Sequence, residues 1–191
     1  MKFLKIPHQF AKDIMALYEP TAEAQEALTE NMSPYDWLEQ AINSELYSDA
    51  VTFIAHGLPI RESIWWACNC AASRDDWSTE ENDAVNAAKA WVYTPDETSR
   101  RHAEEMAKIA TLDTGAGWAA QAAFWSGGSM TSPTDPIVPP PANLYAQAVA
   151  GCINLTAVLP DGAHAVERYK HYIDMGSDIA NGGNGEQEGA L

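Results

Sequence analysis

Four polar side chains near the carboxyl end of the sequence have the spacing of metal ligands on a helix. His164, Glu167, His171 and Asp174 are three, four and three residues apart, which aligns them on one helical face. Two imidazoles and two carboxylates are a donor set for a divalent ion. One helix rarely surrounds a metal, however, and no second helix offers matching ligands. The residues are therefore weak metal candidates on a solvated face, and neither a metal nor another cofactor is expected.

The cysteines do not form a motif that carries chemistry. Cys68 and Cys70 are separated by one residue, so they lack the spacing of a redox Cys-X-X-Cys pair or a zinc knuckle. With Cys152 they make an odd number, and all three fall in helix-like segments. Buried, reduced thiols in a cytoplasmic protein are the expectation. Since no other catalytic grouping is found, the sequence predicts a protein that is not an enzyme.

The net charge of −16 restricts the classes of partner. Twenty-seven carboxylates stand against eleven Lys and Arg residues, whereas nucleic acid and anionic membranes are bound by clustered basic residues. The local acidic cluster consists of Asp75, Asp76, Glu80, Glu81 and Asp83. Carboxylates also suit a solvated helix start. The cluster is therefore either such a start or a docking face for another, basic protein.

Tryptophans supply the main apolar mass, and most are predicted to lie in the core. The adjacent Trp65 and Trp66 project about 100° apart on a helix, so both are buried only if neighbours flank two sides. Trp66 or Trp77 is the candidate for an exposed anchor in a partner interface. If Trp65 is buried, Trp65→Ala should destabilise the fold by roughly 3–5 kcal/mol.

Apolar spacing and capping signals predict an all-α protein of about seven to eight helices. No strand pattern is found except a weak one at 2–6. Helix starts are indicated at Ser33-Pro34, Ser48 and Pro59, followed by helices over 78–93, 94–111, 117–125, 143–158 and 161–180. Thr94-Pro95-Asp96-Glu97 is read as a capping box with proline at the first helical position.

The chain is expected to form one helical domain over residues 1–181. This domain would be a multi-helix bundle, which could consist of stacked helical hairpins. A Gly/Ser-rich and then Pro-rich stretch, 126–142, is predicted to be a surface crossover before the last two helices. The tail, 182–191, is expected to be disordered. No apolar run is long enough to insert into a bilayer, and the first residues lack the features of a secretory signal.

Several motifs together carry a resemblance to a known family. They are Ala-His-Gly-Leu-Pro-Ile-Arg-Glu-Ser-Ile-Trp-Trp-Ala-Cys at 55–68, Phe-Trp-Ser-Gly-Gly-Ser at 124–129, the Pro-Pro-Pro crossover, and Met-Gly-Ser-Asp-Ile-Ala-Asn-Gly at 175–182. From about residue 53 to 183 the chain resembles a family of uncharacterised bacterial proteins associated with type VI secretion gene neighbourhoods. The resemblance implies a secretion-linked role and carries over no catalytic residue.

These observations favour a non-enzymatic cytoplasmic protein-binding module. The leading expectation is an adaptor or chaperone for a type VI secretion effector or spike component. The alternative is an immunity protein that neutralises a basic toxin through its acidic face. An adaptor is expected to use an apolar groove and a broad surface, whereas an immunity protein is expected to use a compact acidic patch. A third hypothesis is an enzyme that uses the face of His164, Glu167, His171 and Asp174.

Overall fold

The computed structural model describes residues 2–186, and these fold into ten α-helices without a strand. The helices are α1 (Ala11–Met15), α2 (Ala22–Glu26), α3 (Pro34–Asn43), α4 (Tyr47–Gly57), α5 (Ile60–Ala72), α6 (Thr79–Tyr93), α7 (Glu97–Ala110), α8 (Gly115–Phe124), α9 (Leu144–Val158) and α10 (Ala165–Ala180). The all-α prediction is confirmed, but the predicted count of seven to eight is too low. The two additional helices, α1 and α2, have five residues each, which is too short for a helical period to show in the sequence.

Side-chain caps fix several helix starts. Ser33 accepts a hydrogen bond from the backbone N–H of Asp36 at 3.2 Å, with Pro34 opening α3 as predicted. Ser78 and Glu81 form a reciprocal capping box at the start of α6.

Several predicted starts are wrong in detail. Helix α8 begins at Gly115 and not at 117, and α10 begins at Ala165 and not at 161. Thr94 ends α6, and Asp96 is the N-cap of α7, accepting from the backbone N–H of Ser99 at 2.8 Å. A carboxylate accepts this bond and suits the positive helix end, so Asp96 displaces the predicted Thr94 cap. Helix α4 begins at Tyr47, one residue before the predicted cap Ser48.

The bundle is organised around α9, which packs against α4, α5, α8 and α10. Helix α8 is composed almost entirely of buried small residues and lies close to α9. A Cβ atom at Gly115 would stand 2.1 Å from Thr156 Oγ1 and 2.5 Å from the carbonyl oxygen of Cys152. The absence of a side chain at Gly115 is therefore what allows α8 to pack directly on the α9 backbone.

The segment between α8 and α9, residues 125–143, contains neither helix nor strand. This is where the sequence predicts the crossover. The almost fully buried Arg100, 3% exposed, anchors its beginning by donating to the carbonyl oxygens of Phe124 at 2.9 Å and Ser129 at 3.1 Å. Glu97 accepts from the same guanidinium at 2.6 and 2.7 Å. The ion pair thus attaches the crossover to α7.

A tryptophan joins α5 to α10. The buried Trp66 donates from Nε1 to the carbonyl oxygen of Tyr172 at 2.7 Å. A Cβ at Gly176 would approach the indole to 2.7 Å, so only glycine permits this close contact. The relative position of α5 and α10, on which the groove described below depends, is therefore set by one aromatic side chain and one glycine.

The ends of the described chain pack beside α10. Residues 2–6 form no strand; Lys5 N–H instead donates to the carbonyl oxygen of Ala180 at 2.8 Å. Residues 182–186 belong to the tail that the sequence predicts to be disordered, but the structure places them against α5. Residues 187–191 of that tail lie outside the described residues. Among the helices described, none has the length and apolar character needed to cross a membrane.

Candidate functional site: the α5–α10 groove

A groove of about 1110 Å³ runs between the carboxyl end of α5 and one side of α10. We call it the α5–α10 groove. Its lining consists of Asn69, Ala72, Ser73, Arg74, Asp75, Lys89, His164, Glu167, Arg168, His171, Tyr172, Met175 and Glu186. The groove brings together one member of the predicted acidic cluster, Asp75, and three of the four weak metal candidates. These two sets lie far apart in the sequence, so their meeting is a result of the fold.

The two arginines of the groove stabilise the end of α9. Arg74 and Arg168 both donate to the carbonyl oxygen of Leu159, at 2.8 and 2.7 Å. Arg74 also donates to the carbonyl oxygen of Thr156 and Arg168 to that of Ala157. Cations at the carboxyl end of a helix satisfy its unpaired carbonyl groups and its negative dipole. The arginines are therefore held in place by a structural role at the edge of the groove.

Only part of the acidic cluster is available to a partner. Asp76 accepts from Arg74 Nε at 2.8 Å, and this hydrogen bond lowers the pKa of the Asp76 carboxyl. Partial burial raises the pKa of Glu81, but hydrogen bonds from Thr114 and Ser78 outweigh it, so its pKa is lowered overall. Exposed carboxylates remain at Asp75, Glu80 and Asp83, for which the described residues provide no ion pair.

The tryptophan anchors proposed from the sequence are placed differently. Trp66 is completely buried, so the expectation that it could be an exposed anchor is wrong. Trp77 is half-buried, donates from Nε1 to the carbonyl oxygen of Ala71 at 2.7 Å, and lies under the Arg74 guanidinium. Its indole N–H is therefore used in ending α5 and is not free for a partner.

The predicted metal face lies along the outer side of α10. His164 and Glu167 are exposed, and their Nδ1 and Oε2 atoms are 3.6 Å apart. His171 is half-buried, and Asp174 is exposed outside the groove lining. Within residues 2–186, no group of three His, Cys, Asp or Glu side chains is close enough to hold a metal ion. The four residues are thus a surface row, three of which face the groove.

Other polar groups line the groove, and the fold leaves those of Lys89, Ser73 and His171 at least partly accessible. Lys89 on α6 is half-buried, and among the described residues it has no hydrogen-bond or ion-pair partner. The hydroxyls of Tyr172 and Ser73 are 3.2 Å apart, and burial raises the pKa of Tyr172 to about 12. The Tyr172 phenol therefore stays protonated at neutral pH. Lys89, Ser73 and His171 therefore give the groove a polar wall that can hydrogen-bond a ligand, whereas the buried Tyr172 lies behind it.

A smaller cavity of about 340 Å³ lies on the other side of residues 182–184. We call it the aromatic cavity because Trp65 and Tyr93 form its walls, with ring centroids 5.7 Å apart in an edge-on arrangement. Tyr93 is 69% exposed, which is unusual for an aromatic side chain. The sequence predicts Trp65 to be a core residue because it follows the apolar spacing of its helix, and it gives Tyr93 no role beyond ending α6.

The cysteines do not supply a nucleophile. All three are free and buried, and burial raises the pKa of the Cys68 thiol to about 12 and those of Cys70 and Cys152 as well. A thiol reacts through its thiolate, which is scarce at neutral pH under these conditions. The cysteines are therefore packing residues, as the sequence predicts.

The protein has a second acidic surface besides the acidic cluster at 75–83, and the sequence prediction did not include it. Residues 13–60 contain nine Asp and Glu and neither Lys nor Arg. Eight of the nine are exposed on the part of the bundle that contains α1 to α4, and Asp49 is half-buried. A charge count in a sliding window along the sequence would have found this surface.

Comparison with curated proteins and with solved structures found no match to this chain. A family model described as "Family of unknown function (DUF6931)" matches residues 37–180, which include α4 to α10 and most of α3. The expectation of an uncharacterised family is therefore confirmed, and the link to type VI secretion stays a prediction. On this match the chain belongs to the DUF6931 family.

Proposed function

We propose that this protein is a non-enzymatic protein-binding module whose α5–α10 groove receives a segment of its partner. The groove itself is the observation that carries the proposal. Its volume of about 1110 Å³ lies close to the upper end of the roughly 300–1,000 Å³ of ligand pockets, which is enough room for a short stretch of polypeptide. Its lining residues are mainly polar and charged, with hydrogen-bonding groups from both α5 and α10, so it is not the apolar groove expected of an adaptor from the sequence.

We further propose that the module is a cytoplasmic adaptor or chaperone, with an effector or spike component of a type VI secretion system as its partner. The secretion link rests on the resemblance of the sequence motifs. The adaptor role is supported by the presence of a groove, because a concave surface suits a bound segment of a partner better than it suits the face of a compact toxin. Two of the five carboxylates of the acidic cluster are used inside the fold, which weakens the cluster as a separate docking site.

The alternative, an immunity protein that neutralises a basic toxin, is supported by a different observation. The exposed carboxylates Asp75, Glu80 and Asp83 and the acid-rich stretch 13–60 give the surface a strongly negative potential. Such a potential accelerates the association of a basic protein, and the acceleration falls with ionic strength. A toxin complex should therefore depend on these carboxylates and on low salt, and little on the groove.

Affinity capture from the protein's own cells, repeated with matched variants, tests the proposal. Lys89→Glu changes the groove, and Lys12→Glu makes the same charge reversal at an exposed side chain of α1. Glu80→Lys with Asp83→Lys tests the acidic cluster outside the groove. We expect one partner protein to be recovered with the wild type and with Lys12→Glu, and to be lost with Lys89→Glu. A partner lost only with the acidic-cluster variant would support the immunity role and contradict ours.

A further inference from the structure

The tail residues 182–186 form a strap across α5. The carbonyl oxygen of Asn184 accepts two hydrogen bonds from one face of this helix, from Trp65 Nε1 at 2.7 Å and from Asn69 Nδ2 at 2.9 Å. The Gly185 N–H donates to Asp178 Oδ2 of α10 at 2.9 Å. The strap is therefore bound through its backbone, and a segment of another protein also carries backbone carbonyl and N–H groups.

Glycines allow the strap to pack closely against α5 and α10. Gly185 has a φ of +72°, and a Cβ there would come within 2.7 Å of Ile179 Cδ1 and 3.0 Å of Asn69 Nδ2. A Cβ at Gly183 would stand 2.0 Å from the Asp178 carboxylate. The strap therefore contributes backbone contacts here but few side-chain contacts.

The strap also separates the two concave surfaces of this face. Asn69 and Glu186 line the α5–α10 groove, whereas Trp65, Gly182 and Asn184 line the aromatic cavity. Trp65 and Asn69 are one turn apart on α5, so the groove and the cavity are two ends of one surface, with the strap across its middle.

We propose that the strap is an internal substitute for the partner, and that an extended acidic segment of the partner protein displaces it. This inference rests on the proposed function and names the segment that the groove receives. The displacing backbone carbonyl would accept from Trp65 and Asn69 as Asn184 does. An apolar side chain just before that carbonyl would enter the aromatic cavity. The strap has glycines at these positions and places no side chain there.

The acidic character follows from the position of Glu186. This residue of the strap is exposed and lines the groove, which also contains Lys89, Arg168 and His171, and its Oε2 accepts from Asn184 Nδ2 at 3.0 Å. The groove also contains the carboxylates of Asp75 and Glu167. Lys89, however, has no ion-pair partner among the described residues, so a carboxylate of a partner segment has a cation to pair with there. Because the strap is tethered, it competes at an effective concentration on the order of millimolar. A partner segment can overcome this competition because it makes side-chain contacts that the strap lacks.

A labelled synthetic peptide with the sequence of residues 180–186, Ala-Asn-Gly-Gly-Asn-Gly-Glu, tests the proposal by fluorescence polarisation against the full chain. Gly185→Ala should dislodge the strap, and Asp178→Ala is a second variant that removes the acceptor of Gly185 N–H. Removing the competing strap should strengthen peptide binding at least about tenfold over the wild type. The indole ¹H–¹⁵N resonance of Trp65 reports whether the strap has left, and circular dichroism reports whether the helices remain folded.

Adding Trp65→Phe to Gly185→Ala removes one donor while keeping an aromatic ring, and should weaken peptide binding by roughly fivefold. A control peptide with lysine in place of the final glutamate should bind more weakly than the original.

The proposal is overturned if the peptide does not bind after the strap has left, or if its affinity is the same in wild type and both strap variants. If the peptide fails while Lys89→Glu still abolishes capture, the groove function stands and only the strap inference falls. If the peptide binds but no partner is captured, the proposed function is the one that fails.

Discussion

The two adjacent tryptophans show how much a residue's role depends on contacts that its sequence neighbours do not determine. Both lie in an apolar helix, and the sequence indicates only that their side chains point in different directions. Trp66 is buried and bonded to α10, whereas Trp65 is half-buried and donates to the tail at Asn184. Since these contacts come from residues more than 100 positions away, no local pattern could assign them.

Because Trp66 is the fully buried tryptophan, the large loss of stability predicted from the sequence for Trp65→Ala is now expected for Trp66→Ala. Trp66→Ala should lower the free energy of unfolding by roughly 3–5 kcal/mol, because it leaves a large cavity and removes the indole's hydrogen bond to the Tyr172 carbonyl. Trp65→Ala, at a half-buried site, should cost roughly 1–2 kcal/mol. Urea unfolding of the two variants checks the order, and equal losses would contradict the placement of the two indoles.

The ion pair on α7 predicts a pH dependence. Hydrogen bonds from Arg100 and Arg101 lower the pKa of Glu97 from 4.5 to about 2. A carboxyl with a lowered pKa stabilises the fold above its unfolded-state value, and this contribution is lost as the pH falls through the folded value. The stability advantage of the wild type over Glu97→Gln should therefore be present at pH 7 and shrink between about pH 4.5 and 2.

Thermal melts of both proteins across this range provide the measurement. The advantage should also be smaller in high salt, because the Glu97 side chain is 60% exposed and its charge is partly screened. An advantage that stays constant down to pH 2 would show that the ion pair is not its source.

At the scale of elements, the sequence predicts the long helices well because each combines an apolar period with a recognisable end. The bounds of α6 and α9 differ from the predicted ranges by one residue at most. The prediction fails where two signals compete or where the element is short. Thr94-Pro95-Asp96-Glu97 contains two candidate caps, and α1 and α2 are too short for a period. The start of α8 depends on close packing against α9, which is a tertiary contact.

A cap substitution distinguishes the predicted from the observed start of α7. Asp96→Ala should reduce stability by about 1 kcal/mol, since it leaves the Ser99 N–H without its acceptor. Thr94→Ala should have an effect within about 0.5 kcal/mol, because the Thr94 side chain caps no helix start. Denaturant midpoints of the two variants provide the measurement. A larger loss of stability for Thr94→Ala than for Asp96→Ala would support the predicted capping box and contradict the observed one.

The packing of α8 on α9 predicts a strong dependence on Gly115. In Gly115→Ala the added methyl group would overlap Thr156 Oγ1 and the Cys152 carbonyl, so the helices must separate, at a cost of roughly 1–3 kcal/mol. Gly127→Ala is the matched control, since a Cβ there meets nothing within 4 Å. Melting temperatures should fall clearly for the first variant and little for the second. Equal melting temperatures would mean that α8 and α9 are not in this close contact.

At the scale of the whole molecule, the candidate site is a property of the tertiary fold. The sequence identified Asp75, His164, Glu167 and His171 as polar residues of interest, but as members of two unrelated features. Only the packing of α10 on α5 through Trp66 and Gly176 places them around one groove. Lys89 and Tyr93 belong to no motif, and their importance depends on which surfaces remain uncovered after folding.

Site-specific photo-crosslinking in the protein's own cells tests most directly whether this groove is the partner-binding face. A benzophenone-bearing amino acid would replace Asp75, an exposed residue of the groove, or Glu105, an exposed acidic residue on α7 outside it. We predict a single protein adduct from position 75, absent from position 105 and abolished by adding Lys89→Glu. Adducts of equal yield at both positions, or an adduct at position 105 alone, would contradict the assignment of the groove as the binding site.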